Sequence, residues 1–147
     1  MLLKETLQQL KVLNDQKTYT HNIKNGVGEN QYGVKLGDLR KLAKKIKSNH
    51  PLALELWQTE NFDAQMLAML IINPQELTLD ALDALVRSTK YTRVADWLNS
   101  YVVKVHPDNE VLRQKWMLDK DPMAARAGWN LTSLHTVKRP ELLDIPS

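Results

Sequence analysis

The chain has no cysteine among its 147 residues. Disulfides and thiolate metal sites are therefore excluded, and nothing points to an oxidising compartment. Long apolar runs are also missing. The first ten residues, MLLKETLQQL, already carry Lys4 and Glu5 and are read as neither a signal peptide nor a membrane span. The expected location is the cytoplasm. Alternating, strand-like segments are hard to find. The four histidines, His21, His50, His106 and His135, lack ligand-like spacing, and there is no HExxH. Gly26-x-Gly28 has neither a preceding strand nor a following GK[ST], which argues against a nucleotide-phosphate loop. A GxSxG elbow is missing too.

What is present is a chain of ordinary size for one soluble domain, 43% hydrophobic and 25% charged, long enough to bury a core. Its net charge of +3 is unevenly spread. Residues 1–50 hold ten Lys/Arg against four acids, and residues 51–147 hold ten against thirteen. A basic segment on a mildly acidic chain is a polyanion footprint or a solvated helix face.

Helical spacing dominates. Leu36, Leu39, Leu42, Ala43 and Ile46 form an amphipathic stripe, with Arg40, Lys41, Lys44, Lys45 and Lys47 outside it. Further helices are predicted over Leu2–Leu13, Pro51–Gln58, Phe62–Ile72, Leu79–Arg87, Tyr91–Val105, Asn109–Leu118 and Pro122–Leu134. Asn73-Pro74 ends one of them. Thr78, Asp108 and Asp121 are expected N-caps, the last followed by Pro122 at the first helical position. His50 and His106, each before a proline, are expected in capping or turn roles. The glycine-bearing stretch at residues 25–33 reads as an ordered loop or a lid. Many short helices with short connections predict an all-α stack of helical pairs, an irregular HEAT-like solenoid.

Two polar faces stand out. In the Tyr91–Val105 helix, Val94, Leu98, Tyr101, Val102 and Val105 are expected on the buried stripe. Asp96 then points away from it, flanked by Thr92, Asn99 and Val103. In the Pro122 helix, Arg126, Asn130 and Ser133 share a face with Trp129 at its border, while Ala124, Ala127, Leu131 and Leu134 turn to the core. The two faces would suit one groove. The plain alternative is a surface acid paired with Arg93 or Arg126. Most of Trp57, Trp97, Trp116 and Trp129 are expected in the core.

The ordered set YGVKLGDLRKLAKKIKSNHPLALELW, DAQMLAMLI, VADWLNSYVVKVHP and AARAGWNLTS resembles the DNA alkylation repair family of AlkD-type DNA glycosylases. The resemblance implies a right-handed superhelix of short antiparallel helix pairs (HEAT-like, ARM-type) over a single domain, 1–147, apparently lacking the C-terminal part. It implies hydrolysis of the N-glycosidic bond of N3- and N7-alkylated purines in double-stranded DNA, with no metal, no cofactor and no membrane. The implied location is a prokaryotic cytoplasm, at the nucleoid when bound. Asp96, with Lys90-Tyr91 before it and His106-Pro107 after it, matches the family's essential acid. Arg126 in AARAGW matches its DNA-backbone arginine. Tyr91, Trp129, Asn130, Lys90, Lys41 and Lys45 complete the expected DNA-binding set. Thr92 stands where family members of well-defined activity carry tryptophan.

The chemistry suits a lone carboxylate. An alkylated purine is already cationic and leaves easily, so the deoxyribose gains oxocarbenium character that a fixed carboxylate stabilises. Aromatic faces would add cation–π contact. The alternative is a non-catalytic HEAT-like module that binds DNA or a protein.

Overall fold

The computed structural model describes residues 2–138, with side chains described as far as residue 132. The ELLDIPS segment and the side chains of Ser133 and Leu134 lie outside the described residues. Nine α-helices and no strand are found among them, with one isolated antiparallel bridge between Asn14 and Val34. No described helix is long and apolar enough to cross a membrane. The chain divides into two compact units, Met1–Asn73 and Pro74–Ser147.

The first unit contains α1 (Leu3–Val12), α2 (Gln16–Lys24), α3 (Leu36–Ile46), α4 (His50–Gln58) and α5 (Phe62–Ile71). Every residue of α5 from Phe62 to Met69 is buried. A helix covered on all sides is the core of its unit, and α1, α3 and α4 pack against it. Side-chain caps start α4 and α5: Asn49 accepts from the Leu52 N–H at 3.2 Å, and Asn61 accepts from the Ala64 N–H at 3.0 Å. On α3, Leu39 and Leu42 are buried while Arg40, Lys41, Lys44, Lys45 and Lys47 are exposed, as the stripe predicts.

The helix α2 escaped the sequence reading. Its segment QKTYTHNIK buries only Asn22 and carries no apolar stripe. The usable signal was Asp15, whose carboxylate accepts from the Thr18 N–H at 3.0 Å and caps the helix. Between α2 and α3, the glycine-bearing stretch is an ordered loop. It is held by Asp63, a fully buried carboxylate that accepts the N–H groups of Tyr32, Gly33 and Val34 at 2.6, 3.1 and 3.1 Å. Burial pushes the Asp63 carboxyl above its ordinary pKa, and the three backbone donors only partly counter it. Gly33 sits at φ +78° with Tyr19 backbone 2.9 Å from where a Cβ would lie, so glycine is required there.

The second unit contains α6 (Leu79–Ser88), α7 (Thr92–Leu98), α8 (Asn109–Met117) and α9 (Pro122–Lys138). Thr78 and Asp121 cap α6 and α9 as predicted. Asp108 occupies the N-cap position of α8 without a side-chain cap bond. The His106 ring does the turn work instead: it accepts from the Asp108 N–H through Nδ1 and bonds the Leu77 carbonyl through Nε2. His50 likewise accepts from the Asn73 N–H. Gly128 lets α9 meet α8 closely, because a Cβ there would lie 2.8 Å from the Met117 backbone nitrogen. Arg87 joins α6 to the turn after α8, with a forked pair to Asp119 (3.1 and 2.5 Å) and a bond to Asp83 (2.9 Å). Asp83 in turn accepts from the indole of the fully buried Trp116.

Candidate functional site

The helix that carries Asp96 does not keep α-helical winding to its end. After α7 a five-residue π turn spans Asn99–Val103, closed by a Lys104 N–H to Asn99 carbonyl bond of 3.0 Å. The buried positions are therefore Val94 and Ala95, Leu98 and Asn99, Val102 and Val103, then His106. A buried stripe that advances four residues at each step stays on one face only where the helix is locally under-wound. This corrects the expected stripe. Tyr101 and Val105 rotate outward, to 39% and 56% exposed, and Asn99 and Val103 turn inward. Asn99 Oδ1 is buried without a partner among the described residues. Beyond the π turn, the Asn109 amide donates to the carbonyls of Val103 and Lys104 and satisfies the helix end.

Asp96 lies before the irregularity and keeps the predicted outward direction. Arg126 reaches it from α9, with Nη2 donating to Oδ1 at 2.9 Å, and the two side chains are 48% and 43% exposed. The pairing makes both readings of Asp96 concrete. It sits beside the predicted arginine on one open surface of the second unit, and it is also a surface ion pair. Only one nitrogen of the Arg126 fork is used in that bond.

Trp129, one turn along α9 from Arg126, is 59% exposed, and Asn130 beside it is half-buried. Ala124, Ala127 and Leu131 face the core as expected. Trp57 and Trp116 are core residues, and Trp97 is half-buried with its ring edge-to-face with Tyr101 at 5.4 Å. Lys90 is exposed and Tyr91, the N-cap residue of α7, is half-buried. All of these except Trp57 belong to the second unit. Lys41 and Lys45 are exposed on α3 of the first. No cluster of three or more potential metal ligands occurs among the described residues.

Two charged groups outside the sequence reading matter to the structure, one in each unit. In the second unit, Arg87 and Asp119 form a forked ion pair just before α9. Hydrogen bonds from Arg87, then from the Asp121 N–H, hold the Asp119 carboxyl down at about 2. Arg87 lies in the last turn of α6, where a basic residue is unremarkable in a helical pattern. Asp63, in the first unit, stands in the first turn of α5 between Phe62 and Ala64, where an acid is an ordinary helix-start residue, and only the fold shows that it is buried.

Several known proteins are similar to this chain. Two uncharacterized Listeria proteins are similar in sequence: Lin0241 of Listeria innocua serovar 6a, 31% identical over 115 residues, and Lmo0209 of Listeria monocytogenes serovar 1/2a, 29% identical over 114. Each match covers 75% of this chain and 50% of the relative, so the chain spans about half the length of the curated relatives it matches. Among solved structures, one described as "a new family of proteins related to the HEAT-like repeat DNA glycosylases with affinity for branched DNA structures" superposes with a TM-score of 0.83 at 28% identity. That superposition covers 90% of this chain and 56% of the other. The fold is thus all-helical and HEAT-like. The family model described as "DNA alkylation repair enzyme" matches residues 3–145, and the chain belongs to that family.

Proposed function

We propose that this chain, as one DNA alkylation repair domain, removes N3- and N7-alkylated purines from double-stranded DNA by hydrolysing the N-glycosidic bond. Asp96 is the electrostatic catalyst in this reading. The observation that carries it is the Asp96–Arg126 pair, two half-exposed groups on adjoining helices joined by a single 2.9 Å bond. An exposed pair of this kind contributes only about 0–1 kcal/mol. A DNA phosphate can therefore draw on the unused nitrogens of Arg126 at little cost and leave the carboxylate facing the sugar. There it stabilises the positive charge that develops on the sugar as the bonding electron pair leaves with the base, which departs neutral, and water adds to the sugar and loses a proton. Trp129, Asn130, Tyr91 and Lys90 are assigned to the same DNA surface. Lys41 and Lys45 are assigned to phosphate contacts, each of which adds about 0.9 to the salt slope of binding.

The test is single-turnover release of methylated purine from alkylated duplex at saturating protein, which separates chemistry from affinity. Asp96→Asn is expected to slow release about a hundredfold, on the order of 3 kcal/mol, and to spare binding. Arg126→Ala is expected to weaken binding first, because a phosphate contact positions and does not react. An Asp96→Asn protein as fast as the parent sinks the catalytic assignment.

A second reading has its own support. The solved relative is described by its affinity for branched DNA, and an acid held by an arginine needs no catalytic role. On that reading the chain binds branched DNA without breaking a bond, so tight binding with no base release favours it.

A further inference from the structure

The first unit contains a cleft of about 290 Å³ that plays no part in the proposed chemistry, lined by Lys11, Asn14, Asp15, Gln16, Tyr19, Gln31 and Tyr32. We propose that it is a binding site for a single unpaired nucleotide.

Its walls are held from both sides. The Asp15 N–H donates to the Gly33 carbonyl at 2.8 Å, and Asp63 fixes the Tyr32, Gly33 and Val34 amides. Gln31 is immobilised in turn: its Oε1 accepts from Asn22 at 3.0 Å and its Nε2 donates to the Gly28 carbonyl at 3.0 Å. The lack of a Cβ at Gly33 brings the Tyr19 backbone against the loop beside Tyr32. Two half-buried aromatic side chains thus line one rigid cleft, and neither hydroxyl bonds to a described residue.

The ligand class follows from this lining. Flat rings beside amide groups suit a planar heterocycle with donors and acceptors on its edge, and stacking on aromatic side chains accepts any base. Asn14 uses its amide nitrogen on the Lys11 carbonyl, which leaves its carbonyl oxygen available. Lys11, exposed at the rim, supplies positive charge for one phosphate. The volume is at the small end for ligand clefts, enough for one nucleotide and too small for a duplex. The nucleotide could come from a strand end or branch, which rests on the DNA-binding reading above, or be free in solution.

One experiment separates these sources. Anisotropy would compare a blunt duplex with the same duplex carrying a three-nucleotide single-stranded overhang. NMR would follow the Tyr19 and Tyr32 ring signals as deoxyadenosine monophosphate is added. The overhang is expected to tighten binding. Tyr19→Leu and Tyr32→Leu should each reduce that gain at least about fivefold without changing blunt-duplex affinity. Lys11→Glu, at an exposed position, should reduce it as well. Ring shifts with the monophosphate but no overhang gain identify a free nucleotide as the ligand. Ring shifts without any duplex binding keep the cleft and remove the DNA reading. An overhang gain that survives all three substitutions, or no gain together with silent ring signals, overturns the proposal.

Discussion

Two aspartates show how differently one residue type behaves in this chain. Asp96 is half-exposed and bonded once, so changing it should hardly affect folding, and on the proposed function its effect falls on base release. Asp63 is fully buried and receives three backbone N–H groups, two of them belonging to the buried residues Gly33 and Val34. Asp63→Ala leaves these donors without an acceptor. At about 1–3 kcal/mol for each of the two buried orphans, the loss should be at least about 2 kcal/mol. Asp63→Asn keeps one acceptor oxygen and should lose less. Urea denaturation of the two variants checks the order, and equal stability would show that the loop does not depend on the carboxylate.

At the level of elements, the packing of α8 against α9 depends on a position with no side chain. A Cβ at residue 128 would meet the Met117 nitrogen at 2.8 Å, and backbone cannot move aside as a flexible side chain can. Gly128→Ala should therefore cost about 1–3 kcal/mol through overpacking, and it should loosen the helix that presents Arg126. Gly37→Ala on α3 is the matched control, because nothing lies within 4 Å of its added Cβ. It should be neutral or stabilising by up to about 1 kcal/mol. Thermal melts of both proteins test the contrast, and similar losses at the two sites would contradict it. The π turn after α7 belongs to the same scale. It settles which residues of the Asp96 helix are buried, and it does so through one i to i−5 hydrogen bond.

For the molecule as a whole, acid is the informative perturbation, because carboxylates of the second unit sit in strong contacts. Hydrogen bonds from Arg87 and the Asp121 N–H hold Asp119 at about 2, below its ordinary 3.8. Burial pushes Asp83 upward, but hydrogen bonds from Arg87 and Trp116 outweigh it and leave the group lowered as well. An acid with a depressed folded-state pKa binds its proton less tightly when folded. Its stabilisation is thus complete above the unfolded value and lost as pH falls through the folded one. The parent should exceed Asp119→Asn in stability by a constant margin above about pH 4 and lose that margin by about pH 2. Denaturation midpoints across that range check this, and a margin that persists at pH 2 contradicts it.

Much of the architecture was legible in the residues alone. Periodicity placed eight of the helices and the caps at Thr78 and Asp121, because these depend on neighbours one helical turn away. The ordered motifs pointed to the family, and the outward direction of Asp96 followed from counting on a regular helix. Three features required the folded chain. Helix α2 has no apolar stripe and is formed by its Asp15 cap and the loop packed beside it. The inward turn of Asn99 and Val103 comes from a local under-winding that periodicity assumes away. The partner of Asp96 was left between Arg93 and Arg126 by the sequence. The packing of α9 against α7 selects Arg126, because a contact between residues thirty apart is decided by how helices pack and not by their own spacing.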